Sequence, residues 1–297
     1  MSTCSLRKRR SLTIVAENLA DSTSHAPRQV LQRARGVGGI TTHQRDGATR
    51  LSTLYQDGCA KIRLPHTHSS ALEAVLINTA GGLTGGDRMQ WSAELAPGGR
   101  MALTTQACER VYRSIGGAAS VETRLRVGAG AHLDWLPQET ILFAASQLDR
   151  RIEIDLAEES SLTAVEAILL GRDAMGEAAI DARLRDNWRI RRNGRLIHAE
   201  ATRLDGTLGE RNGLSLLAGR RAFASVLHIA PNPDQCRAKL AQLRAILPDD
   251  SRIAASANGD RLVIRALAQT GLALRRLIVP ILVELSGAGS LPRLWHL

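Results

Sequence analysis

The sequence predicts a mainly β protein: a β-rich α+β fold of layered or rolled β-sheets built from many short strands, with two or more accessory helices near the C-terminus. Three observations predict it. Apolar residues recur with period two over short segments from residue 51 onward, Gly- and Pro-containing turns separate those segments, and helical spacing enters only after Pro233. The chain has 297 residues, 44% of them apolar, which is enough for a real core and too many for a mostly disordered chain.

Taken in order, residues 61–64 alternate and residues 72–78 form a compact apolar run. Val121, Thr123, Leu125 and Val127 share one face of a strand, with Glu122, Arg124 and Arg126 on the other. Ile152, Ile154 and Leu156 repeat this against Glu153 and Asp155, and Ile180, Ala182 and Leu184 read the same way. Turns fall between the segments at Ala96-Pro97-Gly98-Gly99, Gly116-Gly117, Gly128-Ala129-Gly130 and Asn193-Gly194. The last is a hairpin signal, because both residues tolerate positive φ. Beyond Pro233, Cys236, Leu240, Leu243 and Leu247 recur at helical spacing, with Pro248 as the stop. A second helix is expected over residues 272–285, where Leu274, Leu277, Ile278, Ile281, Leu282 and Leu285 form a broad apolar face. Pro280 inside it removes a backbone donor and is expected to bend it. Residues 253–256 and 261–266, joined through Asn258-Gly259, read as a hairpin between the two helices. No Pro/Ser-rich linker divides residues 46–297, which read as one β-rich domain. Residues 1–45 mix Ser, Thr, Arg and Gly without a sustained period and read as a basic, flexible N-terminal extension.

The charge is unevenly spread. The net +10 comes from 39 Lys and Arg against 29 Asp and Glu. Before residue 46, Arg7, Lys8, Arg9, Arg10, Arg28, Arg33, Arg35 and Arg45 face only Glu17 and Asp21, so +6 of the +10 sits there. The body is close to balance, and its 4 Trp, 2 Tyr and 2 Phe offer little to stack on bases, so nucleic acid is not its expected partner. The longest apolar stretch, residues 267–285, is broken by Gln269, Arg275, Arg276, Pro280 and Glu284, which argues against a membrane span or a membrane partner. Cys4, Cys59, Cys108 and Cys236 lie far apart, as free thiols in a reducing compartment do, and the first 20 residues lack the apolar run of a secretory signal. A cytoplasmic location is expected.

The sequence holds few signatures of chemistry. Thr79-Ala80-Gly81-Gly82-Leu83-Thr84-Gly85-Gly86-Asp87 invites a phosphate-loop reading, but Asp87 stands where a Lys and a hydroxyl are needed, and residues 88–95 look like a strand rather than a helix. A tight connection between two strands fits better. There is no G-x-S-x-G elbow, no Cys with a His in a recognisable setting and no H-E-x-x-H. His66 and His68 follow Pro65 and read as a surface loop, while His132, His198 and His228 read as ordinary strand residues. What stands out is acid in apolar strand contexts, Glu166 within residues 162–170 and Asp134 beside Trp135. A buried carboxylate needs a partner, and the many arginines supply the plain explanation.

Several ordered stretches resemble the UreD (UreH) family of urease accessory proteins. They are Asn78 through Asp87; Thr104-Thr105-Gln106-Ala107 running into Glu109-Arg110-Val111-Tyr112-Arg113-Ser114; and Trp135-Leu136-Pro137-Gln138-Glu139-Thr140-Ile141-Leu142-Phe143. Others are Leu51, Tyr55-Gln56, Gly58, Ala60-Lys61 and Arg63-Leu64-Pro65 upstream. Gly171-Arg172, Ala174-Met175-Gly176-Glu177, Trp188-Arg189-Ile190, Arg203-Leu204-Asp205-Gly206 and Leu291-Pro292-Arg293-Leu294-Trp295 follow downstream. The resemblance covers about residues 45–297.

The resemblance implies a non-catalytic scaffold that forms a complex with UreF and the GTPase UreG on the urease apoprotein and supports delivery of nickel. It also implies a β-rich layered body with accessory helices, no tightly bound cofactor, and nickel only in transit along a polar, acidic path. The motif matches that could line such a path are Asp87, Glu109, Glu166 and Glu200. Each has a rival role: Glu109 precedes Arg110 and Arg113 and could be ion-paired, and Glu200 lies in an alternating strand where it could face water. Carboxylate oxygens hold a divalent ion loosely enough to release it, whereas a Cys/His cage would trap it. Many relatives carry an acid soon after the I-L-F segment, but here Phe143 is followed by Ala144-Ala145-Ser146, so no acid role is placed there. The competing functions are a nickel-binding storage protein and nucleic-acid binding through the basic N-terminal segment.

Overall fold

The computed structural model describes residues 32–172, 175–205, 207–248, 252–287 and 289–296. Their strands build two sheets, and over much of the chain each pass crosses to the other sheet. β4 (Leu72–Asn78), β6 (Arg100–Thr105), β9 (His132–Leu136) and β12 (Ser161–Leu170) lie in a ten-stranded sheet. β5 (Arg88–Leu95), β8 (Ala119–Val127), β11 (Gln147–Leu156) and β13 (Arg183–Arg192) lie in a seven-stranded one. Successive passes in each sheet pair in parallel: β4 with β6, β6 with β9, β9 with β12, and β5 with β8, β8 with β11, β11 with β13. The body is therefore a two-sheet coil. Its turns at residues 96–99 and 128–130 carry the chain between sheets, whereas Asn193-Gly194, with φ of 48° and 77°, closes a hairpin onto β14 (Arg195–Leu204).

The coil starts with β1 (Arg35–Arg45), which pairs antiparallel with β2 (Ala48–Gly58) and parallel with β5. This corrects the expected extension to residue 45. The segment Arg35-Gly36-Val37-Gly38-Gly39 is glycine-rich because it is crowded, not because it is loose: a Cβ on Gly36 would lie 2.7 Å from the Ala60 amide nitrogen. β3 (Ala60–Arg63) forms an edge of the ten-stranded sheet by pairing with β4. Short strands β7 (Glu109–Val111) and β10 (Thr140–Leu142) pair with each other, and β10 also pairs with β12. β15 (Ala222–Ile229) joins β12 antiparallel, and the expected hairpin appears as β16 (Ile253–Asn258) and β17 (Arg261–Ala268). A second correction concerns Ile180 and Ala182, which lie in the turn before β13 rather than on its alternating face; Ile180 is exposed. The basic cluster at Arg7, Lys8, Arg9 and Arg10, together with Cys4, Ala174 and Gly206, lies outside the described residues.

The two sheets differ in how they bury residues, and the difference explains the two sequence patterns. In β11, Leu148, Arg150, Ile152, Ile154 and Leu156 are buried while Asp149, Arg151 and Asp155 face out, as one covered face requires. β12 is buried almost throughout. Its Leu162 and Ala164 pack against the opposite sheet, and its Val165 and Ala167 pack under α3 (Gly271–Leu285) in a cluster that also takes in α2 (Pro233–Ile246). A short helix, α1 (Leu208–Arg211), precedes them. Both long helices are capped, Asn232 Oδ1 accepting from Gln235 N and Thr270 Oγ1 from Ala273 N, and α3 runs through Pro280. Each large apolar side chain so enclosed, such as Leu162 or Val165, contributes about 1.5–3 kcal/mol. No helix among the described residues is long and apolar enough to cross a membrane.

Candidate functional site

The inward phase of the strands forces charge into the space between the sheets. Arg150 is in register with Leu148 and Ile152 on β11, Asp186 with Leu184 and Trp188 on β13, and Glu166 with Leu162 and Ala164 on β12, so all three point inward and are buried. Arg150 grips Asp186 with two bonds, Nε to Oδ1 at 3.1 Å and Nη2 to Oδ2 at 2.7 Å. Its Nη1 pairs with Glu166 across the gap and donates to Thr140 Oγ1 at 3.2 Å. Two indoles complete the cluster: Trp135 Nε1 donates to Glu166 Oε1 at 3.0 Å and Trp188 Nε1 to Asp186 Oδ2 at 3.3 Å. One guanidinium thus serves two carboxylates. Burial pushes the Glu166 carboxyl up to about 7, against the attraction of Arg150 and with the repulsion of Asp186.

The cluster continues on both sides. Glu166 is the register partner of Ser225 on β15, and Ser225 Oγ donates to Glu200 Oε1 at 2.7 Å from the other sheet. Arg265 Nη2 lies 2.9 Å from Glu200 Oε2, and His198 Nε2 3.7 Å from the same oxygen. Burial disfavours the charge on Glu200, but the neighbouring His198, the bond from Ser225 and the field of Arg265 prevail and hold its carboxyl below the usual range. Glu200 also borders a cavity of about 580 Å³ lined further by Phe223, Leu216 and Arg211. In the other direction, Thr140 is the register partner of Glu109. The Glu109 carboxylate takes no cation among the described residues. Asn78 Nδ2 lies 3.2 and 3.3 Å from its two oxygens. Burial, aided by the charge of Asp87, pushes it up to about 7 despite that amide.

Three of the four predicted acids therefore follow one another between the sheets, and the fourth has another task. Asp87 is buried, with Oδ1 accepting from Ala34 N at 2.8 Å and Oδ2 from Thr84 N at 2.7 Å, so it ties the Gly-rich connection to the start of β1. That connection joins β4 to β5 as expected, with Gly81, Gly82 and Gly86 at positive φ. Neither rival role holds for Glu109 or Glu200: the first takes the Asn78 amide and no ion pair to the Arg110 or Arg113 guanidinium, and the second faces Arg265 rather than water. Glu166 has the arginine that the plain explanation demands.

Sequence reasoning missed Arg150, Asp186, Arg265 and Asn78, although the first two were legible as charges in the inward phase of β11 and β13. It also missed Glu177, whose Oε1 accepts from Ala144 N at 3.0 Å and so brings an acid to the place where the Phe143 segment lacks one. A family model described as UreD urease accessory protein matches residues 34–296. The chain belongs to the UreD family of urease accessory proteins. It is 57% identical to the urease accessory protein UreD of Chelativorans sp. (strain BNC1) over 277 residues, which is 93% of this chain and 98% of that protein. Identity to UreD of Rhizobium rhizogenes is 49% and to UreD of Agrobacterium fabrum 48%, each over 267 residues and 90% of this chain, covering 96% and 92% of those proteins.

Within the family body, two further polar groups lie on the helix side of the ten-stranded sheet. Asp134 Oδ1 lies 2.6 Å from His132 Nε2 and its Oδ2 accepts from Ser286 Oγ at 2.7 Å, fastening the end of α3. Arg275 Nη1 lies 3.3 Å from Glu139 Oε2, Arg275 Nη2 donates to Gln138 Oε1 at 2.9 Å, and its guanidinium stacks 4.9 Å from the Trp295 ring. Both clusters hold helices and chain end to the sheet. Among the described residues no three His, Cys, Asp or Glu side chains converge in a metal-holding group.

Proposed function

We propose that this chain is a non-catalytic scaffold of urease maturation that assembles with UreF and UreG on the urease apoprotein and supports insertion of nickel. Nickel is cargo in this reading, met by single carboxylates in turn rather than held. The observation that carries it is the run of Glu109, Glu166 and Glu200 between the sheets, in which Glu109 has no cation partner among the described residues. A hard oxygen donor with a carboxyl near neutrality exchanges a proton for a divalent ion at low cost, and one or two such oxygens release it again. A nickel store would need several converging donors, so the storage reading draws no support from these side chains.

The test is to replace Glu109, Glu166 and Glu200 singly by Gln and to follow two quantities, co-purification of the assembly and nickel content of the urease it matures. Loss of nickel with assembly intact supports transit along these groups. Full nickel loading in all three variants overturns transit, and loss of assembly in all three assigns the carboxylates to structure alone. Fully metallated urease in a strain lacking this protein would overturn the scaffold reading itself.

A further inference from the structure

Parallel coiling gives the body two unlike ends. β5, β8, β11 and β13 all finish at one end, where residues 96–99, 128–131, 157–160 and 193–194 make short turns. Those turn residues include no exposed large apolar side chain. The opposite end carries the longer connections, residues 79–87, 106–118, 137–146, 171–182 and 205–221. Six large apolar side chains stand exposed there: Tyr112, Ile115, Met175, Ile180, Leu214 and Leu216. Ile115 and Met175 are 72% and 70% exposed, and Leu214 is 93% exposed.

These connections form one bonded surface. Ser114 N donates to Ala145 O at 2.9 Å, and Ala145 N to Ile180 O at 2.7 Å. Tyr112 Oη donates to Gly81 O at 3.2 Å while its ring meets Phe143 edge-on at 5.1 Å. Arg211 Nη2 ties the next connection in by donating to Ala179 O at 2.9 Å. Arg110 and Arg113 are exposed on this surface, and neither has a carboxylate partner among the described residues.

We propose that this loop end is a docking surface for a folded protein partner that presents an apolar patch ringed by carboxylates. The proposal rests on the scaffold reading above and names the surface and the chemistry of the partner. Tyr, Met and Arg are the residue types that interfaces favour, and the guanidinium fork of an unpaired Arg matches a carboxylate in two bonds. Loops already held by hydrogen bonds lose little freedom when covered. A membrane surface is the poorer fit, because the apolar side chains stand on separate bonded loops and not along one amphipathic helix.

Binding of the purified full-length chain to purified UreF and to purified urease apoprotein tests this. Ile115→Ser with Met175→Ser should weaken binding to at least one of them about tenfold or more, roughly 1.4 kcal/mol. Arg110→Gln with Arg113→Gln should weaken it too and flatten its salt dependence. Glu158→Gln with Glu159→Gln, at the turn end, should change nothing, and a thermal melt of each variant checks that the fold is kept. Unchanged binding by both loop-end variants overturns the proposal and leaves the scaffold reading standing. Failure of the unaltered chain to bind either protein sinks the scaffold reading and this one with it. Loop-end variants that lose only self-association, or only binding to phosphatidylserine vesicles, also overturn it.

Discussion

The two ends of the coil are made by the same strands and differ in almost everything else. Toward the turn end, the space between the sheets is apolar, filled by Ile152, Ile154, Leu156 and Ile190, and short turns close it. Toward the loop end, the Arg150 cluster interrupts that core, a separate apolar cluster around Leu142, Leu148, Ile168 and Leu184 lies beyond it, and long connections leave apolar side chains in water. A scaffold could be held together by the first end alone. The second bears stability costs, a buried excess of negative charge and exposed hydrophobic groups, of the kind that function accounts for.

The largest test of this contrast is Arg150→Met. It leaves Glu166 and Asp186 buried without their cation, and urea denaturation should show a loss of about 3–5 kcal/mol. Ile154→Val, in the apolar half, should cost about 0.5–1.5 kcal/mol. Equal losses would mean that the cluster is not coupled as its geometry says. Next comes the backbone. Gly82 sits at φ +141°, where an added Cβ would fall on the Tyr112 ring and 2.7 Å from Arg110 O, so Gly82→Ala should destabilise by about 1–3 kcal/mol. Gly98 at the turn end, at φ +67° with open space around it, should tolerate Ala better.

A third test uses pH. Glu109 and Glu166 are both pushed up to about 7 in the folded chain, so between the unfolded carboxyl range and that value the native state binds more protons than the unfolded one. Their contribution to stability is present at low pH and falls as pH rises from about 4.5 to about 7. Glu200, held below its usual range, works oppositely, stabilising above that range and losing its contribution as pH falls. Glu109→Gln should therefore flatten the decline in stability from pH 5 to pH 7 in denaturant titrations; an unchanged slope would remove Glu109 from the account. The smallest effect belongs to the turn end, where Glu158→Gln should change stability by no more than about 0.5 kcal/mol.

Much of this was legible in the chain. The strands around Val121–Val127 and Ile152–Leu156, the hairpin at Asn193-Gly194, both long helices and the strand after the Gly-rich connection follow from spacing and turn chemistry, which are local. The acids were legible as anomalies, since Glu166 interrupts an apolar run. The inward phase of Arg150 and Asp186, shared with Leu148 and Trp188, was legible too, but that Arg150 pairs with both Asp186 and Glu166 was not. Gly36, Gly38 and Gly39 misled for a related reason, because glycine that relieves crowding between strands spells the same as glycine in a flexible tail.

The sequence alone determined that the chain is β-rich, where the strands around Val121–Val127 and Ile152–Leu156, the late hairpin and both long helices lie, and that its motifs are those of one family. Only the tertiary structure decided that the strands run in parallel rungs, that Glu109, Glu166 and Glu200 face the space between the sheets, and that the loops gather at one end. The division has a physical reason. Periodicity and turn preference act between residues close in the chain, whereas parallel pairing and charge pairing join residues that are neighbours only after the coil has closed, as when Arg150 meets Asp186 thirty-six positions away.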